Sequence, residues 1–322
     1  MAITEFRQNI VSGEWVLFAT GRKRPLRQTS PAGAGSTSPC PFDDLATQEI
    51  VWTEGDIIVI KNKFPAVIQG VCSPMVEIGP FQTHQATGEH DVLVYRNHDM
   101  RFSDFTNEQL VNVIRAFKRR YLEIAQTGDC TQYIHIFHNS GHDAGASIEH
   151  PHSQIISTPI LPPDIYRSFH GAFNFFKKHG KKVFDVMLAW EMEQGKRIVY
   201  ENDFFVAFCP YVSKYPYEVR IFAKEGHAHF EKMPEALDPR LADALGIVLK
   251  KIAGVLDNPA YNFFIHTAPV ESSLRDLHEF YSWHVEILPK FKIDAGVEIG
   301  TGFGVNVIDP DEAAAELREA KI

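Results

Sequence analysis

The sequence predicts an α+β protein built from a duplicated unit, with two antiparallel sheets that each carry helices packed on one face. Three observations predict this fold. Short apolar segments alternate with turn-forming residues, as in β-strands. Each half contains one long segment with apolar residues at helical spacing. The second half then repeats the elements of the first half in the same order.

The first half reads as five strands and one helix. Residues 26–40 are rich in Pro, Gly and Ser, which predicts a loop. The helix is predicted from about Asn107 to Gln126 with Thr106 as its cap, because apolar residues recur there every three or four positions. The predicted strands are 15–19, 56–61, 91–96, 133–138 and 153–158.

The second half presents matching segments, so we place the domains at 1–165 and 166–322. A helical segment over 164–195, with a break near Gly180, joins the two halves. The matches of the second half to the first are 202–212 to 55–65, 218–230 to 91–102, 239–256 to 107–126, 261–267 to 133–139 and 284–287 to 152–155.

Composition excludes several classes of protein. The 322 residues are 44% hydrophobic and 23% charged, which argues against a disordered or fibrous chain. The net charge of −9 opposes non-specific binding to nucleic acid. No apolar run is long enough to span a bilayer, and the first residues lack a signal-peptide core. The four cysteines show no disulfide-framework spacing, so we expect a cytoplasmic protein in a reducing compartment.

The sharpest local signal is the segment His150-Pro151-His152-Ser153-Gln154, which follows a glycine-rich loop at 139–147. On a strand, His150, His152 and Gln154 would project from one face. Backbone N–H groups of the loop could cradle an anion, and a neutral imidazole beside an anion suits attack on phosphorus. Taken alone, the motif also fits two surface histidines beside a turn.

The segment FHNSGHDAGASIEHPHSQIISTP (137–159) resembles the active-site segment of galactose-1-phosphate uridylyltransferases, a branch of the histidine-triad superfamily. The resemblance covers nearly the whole chain. It includes SGEWVLFATGRKRP near the start, IKNKFPAV, YENDFFVAFCPYVSKYPYEVRIF, and WHVEILPKF with GVEIGTGFGVNVIDPDEAA near the end. The resemblance implies a duplicated histidine-triad-like fold and nucleotidyl transfer through a histidine.

Carried over by position, the resemblance makes His152 the nucleophile and Gln154 the residue that hydrogen-bonds the phosphoryl group. Further positions match substrate contacts of the family: Arg24 near the phosphates, Asn62 and Phe64 at the base and ribose, Phe137 and Asn139 at the nucleoside, and Gly145 and Ser147 on the phosphate side. Such donors act by positioning and charge stabilisation.

The resemblance also implies a structural zinc. Family members hold it with Cys-x-x-Cys and two histidines, and the matching residues here are Cys40, Asp43, His98 and His150. Aspartate replaces the second cysteine, which keeps a tetrahedral site feasible but softens its preference for zinc. A zinc at this place would hold His150, next to the nucleophile, in position.

Some family members hold a second metal, for which His266, His284 and Glu286 stand at matching positions. Its fourth ligand aligns with Ser168 and one expected histidine is Glu286, so packed or surface histidines are an open alternative. In the family this half of the chain binds the sugar phosphate, often across a dimer interface. Lys292 and Glu298 match those contacts, with Lys292 suited to phosphate and Glu298 to sugar hydroxyls.

The resulting prediction is a homodimeric UDP-glucose:hexose-1-phosphate uridylyltransferase that acts through a uridylyl-histidine. Its partners are a nucleotide sugar and hexose 1-phosphate, with galactose 1-phosphate as the expected acceptor. A phosphorylase of the same branch, acting on ADP-glucose or dinucleoside polyphosphates, is the close alternative. A nucleotide-binding module without turnover is a more distant one, because a binder does not need the nucleophile.

Overall fold

A computed structural model describes residues 3–22, 40–127, 130–270, 274–291 and 294–322. The predicted loop at 26–40 therefore lies outside the described residues, apart from Cys40. Within the described ranges, every helix is too short or too polar to cross a lipid bilayer.

The chain forms fifteen strands and six α-helices within the described residues. Up to residue 158 they are β1 (Thr4–Gln8), β2 (Trp15–Ala19), β3 (Ile50–Glu54), β4 (Ile57–Lys61), β5 (Val76–Ile78), β6 (Phe81–Thr83), β7 (His90–Tyr95), α1 (Asn107–Thr127), β8 (Tyr133–Ser140) and β9 (His152–Thr158). Beyond it they are α2 (Pro163–His179), α3 (Val183–Gln194), β10 (Ile198–Glu201), β11 (Phe205–Phe208), β12 (Val219–Ala223), α4 (Asp238–Leu256), β13 (Tyr261–His266), β14 (His284–Pro289), α5 (Gly296–Thr301), β15 (Gly304–Asn306) and α6 (Pro310–Glu319).

The strand order confirms the predicted duplication. The first half contributes β3-β4-β7-β9-β8, and the second contributes β10-β11-β12-β14-β13, which is the same order along the chain. We expected two sheets, and the two antiparallel halves are present. They are joined edge to edge, because β8 and β13 pair antiparallel and complete one ten-stranded sheet. This pairing satisfies the backbone groups that two free edges would leave exposed.

Helices α1 and α4 cover one face of the sheet side by side. Thr106 and Gln109 cap α1 reciprocally, since each backbone N–H donates to the other side chain, at 3.2 and 2.9 Å. The predicted apolar stripe of α1 is buried in the main core together with α4. Gly246 lets the helices approach closely, because a Cβ there would lie 2.8 Å from Leu110 Cδ1. The opposite face is left for the site.

The segment that joins the halves is helical, as predicted. Helix α2 ends at Gly180, whose φ of 65° is left-handed, and α3 starts three residues later. Both helices pack over β11 and β12 on the face opposite α1 and α4, and the shared core includes Phe169, Phe184 and Phe222. A small sheet of β1, β2 and β15 joins the two ends of the chain.

The expectation that the cysteines form no disulfide is wrong for one pair. Cys72 and Cys130 are disulfide-bonded, with Cα atoms 5.3 Å apart. Cys40 and Cys209 are free. The paired residues are 58 positions apart, so their spacing carries no local signal. The cytoplasmic location, which had rested partly on cysteine usage, stays a prediction.

Candidate active site

His152 opens strand β9 and is held in one tautomer. Its Nδ1 lies 2.8 Å from the carbonyl oxygen of His150. A carbonyl can only accept, so Nδ1 carries the proton and Nε2 is left with its lone pair. Burial lowers the pKa of His152, which favours the neutral ring at pH 7. The ring of Phe42 packs edge-on against it, with centroids 5.2 Å apart. The predicted nucleophile is therefore neutral, oriented and shielded from water.

Several of the predicted site residues share the sheet face that is opposite α1. His152 and Gln154 are two residues apart on β9, and Phe137 and Asn139 are two residues apart on β8, so each pair projects from one face of its strand. The register pairs Gln154 with Phe137 across the two strands. This face therefore combines the predicted nucleophile with an amide and an aromatic ring.

The loop that follows β4 reaches the same place. The Asn62 Oδ1 accepts a hydrogen bond from the Phe64 N–H at 2.9 Å, which orients the amide. The Asn62 Nδ2 then lies 3.5 Å from the Gln154 Oε1. The ring of Phe64 is 83% exposed, so it is accessible to a base. Contact of these two residues with base and ribose stays a prediction.

The glycine-rich loop between β8 and β9 turns sharply. Gly141 and Gly145 have φ of 81° and 84°, a backbone conformation that favours glycine. Gly145 and Ser147 are exposed. Their predicted contact with phosphate requires that accessibility and stays a prediction.

Asn262, from the second half, is a site residue that sequence reasoning missed. Its Nδ2 donates to the Asn139 Oδ1 at 2.7 Å and to the Ala144 carbonyl at 2.8 Å. It therefore ties the glycine-rich loop to the end of β8. The available signal was strand alternation, which places Asn262, Phe264 and His266 of β13 on the site face.

Three further residues were predicted to bind substrate: Arg24, Lys292 and Glu298. Arg24 and Lys292 lie outside the described residues. The Glu298 Oε2 accepts a hydrogen bond from the Ala295 N–H at 3.1 Å, at the start of α5. This carboxylate therefore has a local structural bond, and its role toward a sugar stays a prediction.

The four predicted zinc ligands lie together. A tight turn, closed by the Asp43 N–H and the Cys40 carbonyl, brings these two residues next to His98 and His150. From the His150 Nδ1, the distances are 3.7 Å to Cys40 Sγ, 3.3 Å to Asp43 Oδ1 and 3.1 Å to His98 Nδ1. Ligands around a tetrahedral zinc lie about 3.3–3.8 Å from one another. Two of the distances fall in this range, and the His98 Nδ1 is slightly closer than that to the His150 Nδ1 and to the Asp43 Oδ1, at 3.1 and 3.0 Å. The donor set therefore fits the ion after small side-chain shifts.

The tautomer of His150 also fits a metal. Its Nε2 lies 2.6 Å from the Tyr95 carbonyl and must donate, which leaves the Nδ1 lone pair toward the other ligands. The hydrogen bond between Asp43 and His98 lowers the pKa of Asp43 and favours its carboxylate form. Phe42 lies within the turn and contacts both His150 and His152. The turn is therefore physically coupled to the nucleophile.

The candidate second metal group differs from the first. His266, His284 and Glu286 lie close together, as predicted. However, the Arg220 Nε lies 3.2 Å from the Glu286 Oε2. Burial by itself would raise the pKa of Glu286, but the Arg220 cation and the neighbouring histidines outweigh burial and lower it. The His266 Nε2 lies 3.3 Å from the same oxygen. A guanidinium already neutralises the carboxylate, and Ser168 offers no strong fourth ligand. These observations oppose a second metal there.

An open cleft of about 230 Å³ lies over this group. The sheet register places Gln154, Phe137 and Phe264 in one row across β9, β8 and β13. Since adjacent strands are about 4.8 Å apart, the edge of the cleft at Phe264 lies about 10 Å from Gln154. Its lining carries both signs of charge: the cations are Arg167, Lys214 and Arg220, and the carboxylates are Glu14, Asp164 and Glu286. The cleft and the nucleophile thus share one face of the sheet.

Residues 3–162 match the family described as galactose-1-phosphate uridyl transferase, N-terminal domain. The ADP-glucose phosphorylase of Arabidopsis thaliana is 30% identical over 99% of this chain and 93% of its own. The chain belongs to the galactose-1-phosphate uridylyltransferase family. The galactose-1-phosphate uridylyltransferase of Thermotoga maritima is 29% identical over 99% of both chains.

Solved structures extend the likeness to the whole fold. The crystal structure of an Arabidopsis ADP-glucose phosphorylase with bound ADP-glucose superposes with a TM-score of 0.85 at 27% identity. The match covers 99% of this chain and 100% of that one. The galactose-1-phosphate uridylyltransferase family contains nucleotidyltransferases and phosphorylases. The two curated relatives are almost equally similar, so identity alone does not choose between their activities.

Proposed function

We propose that the chain transfers a nucleoside monophosphate through a covalent nucleotidyl-His152, from UDP-glucose to galactose 1-phosphate or another hexose 1-phosphate. The observation that carries this proposal is the hydrogen bond from the His152 Nδ1 to the His150 carbonyl. It leaves the Nε2 lone pair available, and a neutral imidazole is a good nucleophile toward phosphorus.

The reaction proceeds in two displacements. The Nε2 of His152 attacks the α-phosphorus of the nucleotide sugar, the bond from that phosphorus to the bridging oxygen breaks, and hexose 1-phosphate leaves. A phosphate oxygen of the acceptor then attacks the same phosphorus, and the N–P bond breaks to restore the Nε2 lone pair. Phosphate is a competent nucleophile and leaving group at neutral pH, so little general acid–base help is needed.

Neighbouring groups would stabilise the charge on the transferred phosphoryl group. The Gln154 amide lies on the face of the nucleophile, and Ser147 is exposed on the neighbouring loop. The N–H groups of Ala144, Gly145 and Ala146 bond to the Gly141 and His142 carbonyls within that loop, so the expectation that these N–H groups cradle an anion is wrong. Zinc, bound by Cys40, Asp43, His98 and His150, would hold the segment around the nucleophile and would not itself take part in the displacement.

A phosphorylase is the second candidate function. The Arabidopsis relative with 30% identity is an ADP-glucose phosphorylase, and its structure superposes over the full length of the chain. In that reaction an adenylyl group on His152 would pass to inorganic phosphate, by the same two displacements. The difference lies in the acceptor and the base.

We infer that the active form is a homodimer in the cytoplasm that binds neither nucleic acid nor membrane. The small sheet carries exposed aromatic rings at Phe6, Trp15 and Phe303, and a patch of this kind suits contact with a second copy. The net charge of −9 opposes nucleic-acid binding.

The test is to load and then discharge the histidine. The protein is incubated with UDP-glucose or with ADP-glucose, and the covalent adduct is detected by intact mass. The isolated adduct is then offered galactose 1-phosphate and inorganic phosphate in competition. A uridylyl adduct discharged by the sugar phosphate supports the proposal, and an adenylyl adduct discharged by phosphate supports the phosphorylase. Nucleotide binding without any adduct would reduce the protein to a binding module.

A further inference from the structure

His90, which no part of the proposed chemistry uses, touches the candidate site through Gln154, Ala66 and Asn62. It opens β7, where it pairs with Ile156, so Gln154 on β9 is its diagonal neighbour on the same face. The His90 Nε2 lies 2.9 Å from the Gln154 Oε1. Its Nδ1 lies 3.0 Å from the backbone N–H of Ala66.

These two contacts fix the tautomer of His90. The Ala66 N–H can only donate, so Nδ1 must accept. A neutral imidazole has a single proton, which therefore resides on Nε2 and is donated to the Gln154 Oε1. The amide of Gln154 is thereby oriented, since its oxygen takes the bond from His90.

Asn62 supports the same orientation. Because its Oδ1 is bonded to the Phe64 N–H, its Nδ2 is the donor that faces the site. It lies 3.2 Å from the His90 Nε2, which carries a proton and cannot accept, and 3.5 Å from the Gln154 Oε1, which can accept. Two N–H donors thus converge on the Gln154 oxygen. Among the described residues, no hydrogen-bond partner faces the Gln154 NH₂, and its two protons suit the negative charge on a phosphoryl group.

We propose that His90 is a positioning residue, which holds Gln154 with its NH₂ group toward the phosphoryl group that His152 receives. This inference rests on the proposed function of His152 and Gln154. Without His90, the Gln154 amide can rotate and present its oxygen, which repels the phosphoryl oxygens. The bond to Ala66 also connects this orientation to the loop of Asn62 and Phe64, the predicted contact with the nucleoside.

The test uses two variants and a matched control. His90→Leu removes both contacts, whereas His90→Gln can still place an N–H donor near the Gln154 oxygen. His84→Leu is the control, because His84 lies in the same connecting segment and is half-buried, and its ring bonds only to the adjacent Gln85 carbonyl within the part of the chain that the structure describes. Adduct formation from UDP-glucose and ADP-glucose is timed by quenched intact mass, and the dissociation constants are measured by calorimetry.

We expect His90→Leu to slow adduct formation about tenfold, which corresponds to one hydrogen bond of ordinary strength, with little change in nucleotide-sugar binding. His90→Gln should recover most of the rate, and the control should match the wild type. In a Gln154→Leu background, His90→Leu should change the rate less than twofold, because its effect passes through Gln154. An equal loss in both backgrounds, or a loss below twofold in the wild type, overturns the proposal.

A second measurement separates this inference from the proposed function. Nitrogen NMR of ¹⁵N-histidine-labelled protein reports the tautomer of His90, with His90→Gln used for assignment. A proton on Nε2 supports the arrangement, and a proton on Nδ1 overturns it. If the wild type forms no adduct with either nucleotide sugar, the proposed function fails, while the NMR result still decides whether His90 orients Gln154.

Discussion

Replacing Asn262 tests whether the second half of the chain holds the phosphate loop of the first. Asn262→Leu keeps the approximate volume and removes both hydrogen bonds from Nδ2, to the Asn139 Oδ1 at 2.7 Å and to the Ala144 carbonyl at 2.8 Å. Asn262→Asp keeps the shape and places an acceptor opposite two acceptors. Aspartate should therefore be the more damaging substitution.

The magnitude follows from the two lost bonds. Each contributes about 0.5–1.5 kcal/mol net, so their sum is about 1–3 kcal/mol. The loop must be in place before the exposed Ser147 can meet the phosphoryl group, so we expect the same free energy to be lost from the transition state of adduct formation. The expected loss in adduct formation is about 5- to 150-fold for Asn262→Leu.

The assay is the quenched intact-mass measurement of adduct formation, accompanied by thermal unfolding. Asn202→Leu is the control for lost hydrogen bonds, because the Nδ2 of that half-buried asparagine also donates twice, to the Arg240 carbonyl and to Asp243. Its Oδ1 in addition accepts from the Phe204 and Phe205 N–H groups, so the control loses more bonds than Asn262→Leu, at a separate site in the second half. The control should lower the melting temperature and leave the rate unchanged. If Asn262→Leu forms the adduct within twofold of the wild-type rate, the two hydrogen bonds from Asn262 to the glycine-rich loop and β8 have no role in adduct formation.

Three further predictions concern the metal, the acceptor and the disulfide. Elemental analysis should find about one zinc per chain, and Asp43→Cys should resist a chelator better without raising the transfer rate, because thiolate is the stronger zinc ligand; protein purified without metal would contradict this. Glu298→Ala should slow discharge of the adduct by hexose 1-phosphate and spare discharge by inorganic phosphate, whereas equal slowing of both would assign Glu298 a structural role at the start of α5. Reduction of the Cys72–Cys130 disulfide, which spans 58 residues, should lower the melting temperature by up to about 6 °C through the entropy of the freed loop, and thiol titration of unreduced protein that finds all four cysteines free would disprove the pairing.

The features that the sequence predicted correctly depend on local patterns. Helix α1 forms where apolar residues recur at helical spacing after a capping threonine, and Gly180 ends α2 because glycine tolerates the left-handed conformation. The shared face of His152 and Gln154 was also predictable, since it follows from strand alternation. The grouping of Cys40, Asp43, His98 and His150 was expected only from the resemblance to the family, because these residues come from three separate segments.

The features that were missed depend on contacts between distant segments. Asn262 contacts the glycine-rich loop between β8 and β9 only because β13 pairs with β8, and no sequence pattern within β13 predicts that pairing. His90 meets Gln154 through the register of β7 and β9, and Arg220 faces Glu286 through the register of β12 and β14. A single sequence gives no register between strands, so these polar partners could be placed on a face but not paired.

The central claim is that the Nε2 of His152 accepts the nucleotidyl group, and one measurement tests it most directly. Wild-type protein and His152→Asn are incubated with radiolabelled glucose 1-phosphate and with UDP-glucose or ADP-glucose, and label entering the nucleotide sugar is counted while binding is measured in parallel. The account predicts exchange in the wild type with one of the two nucleotide sugars, and a loss of exchange in the variant with binding largely retained, because only the covalent step needs the imidazole. Near wild-type exchange by His152→Asn would contradict it.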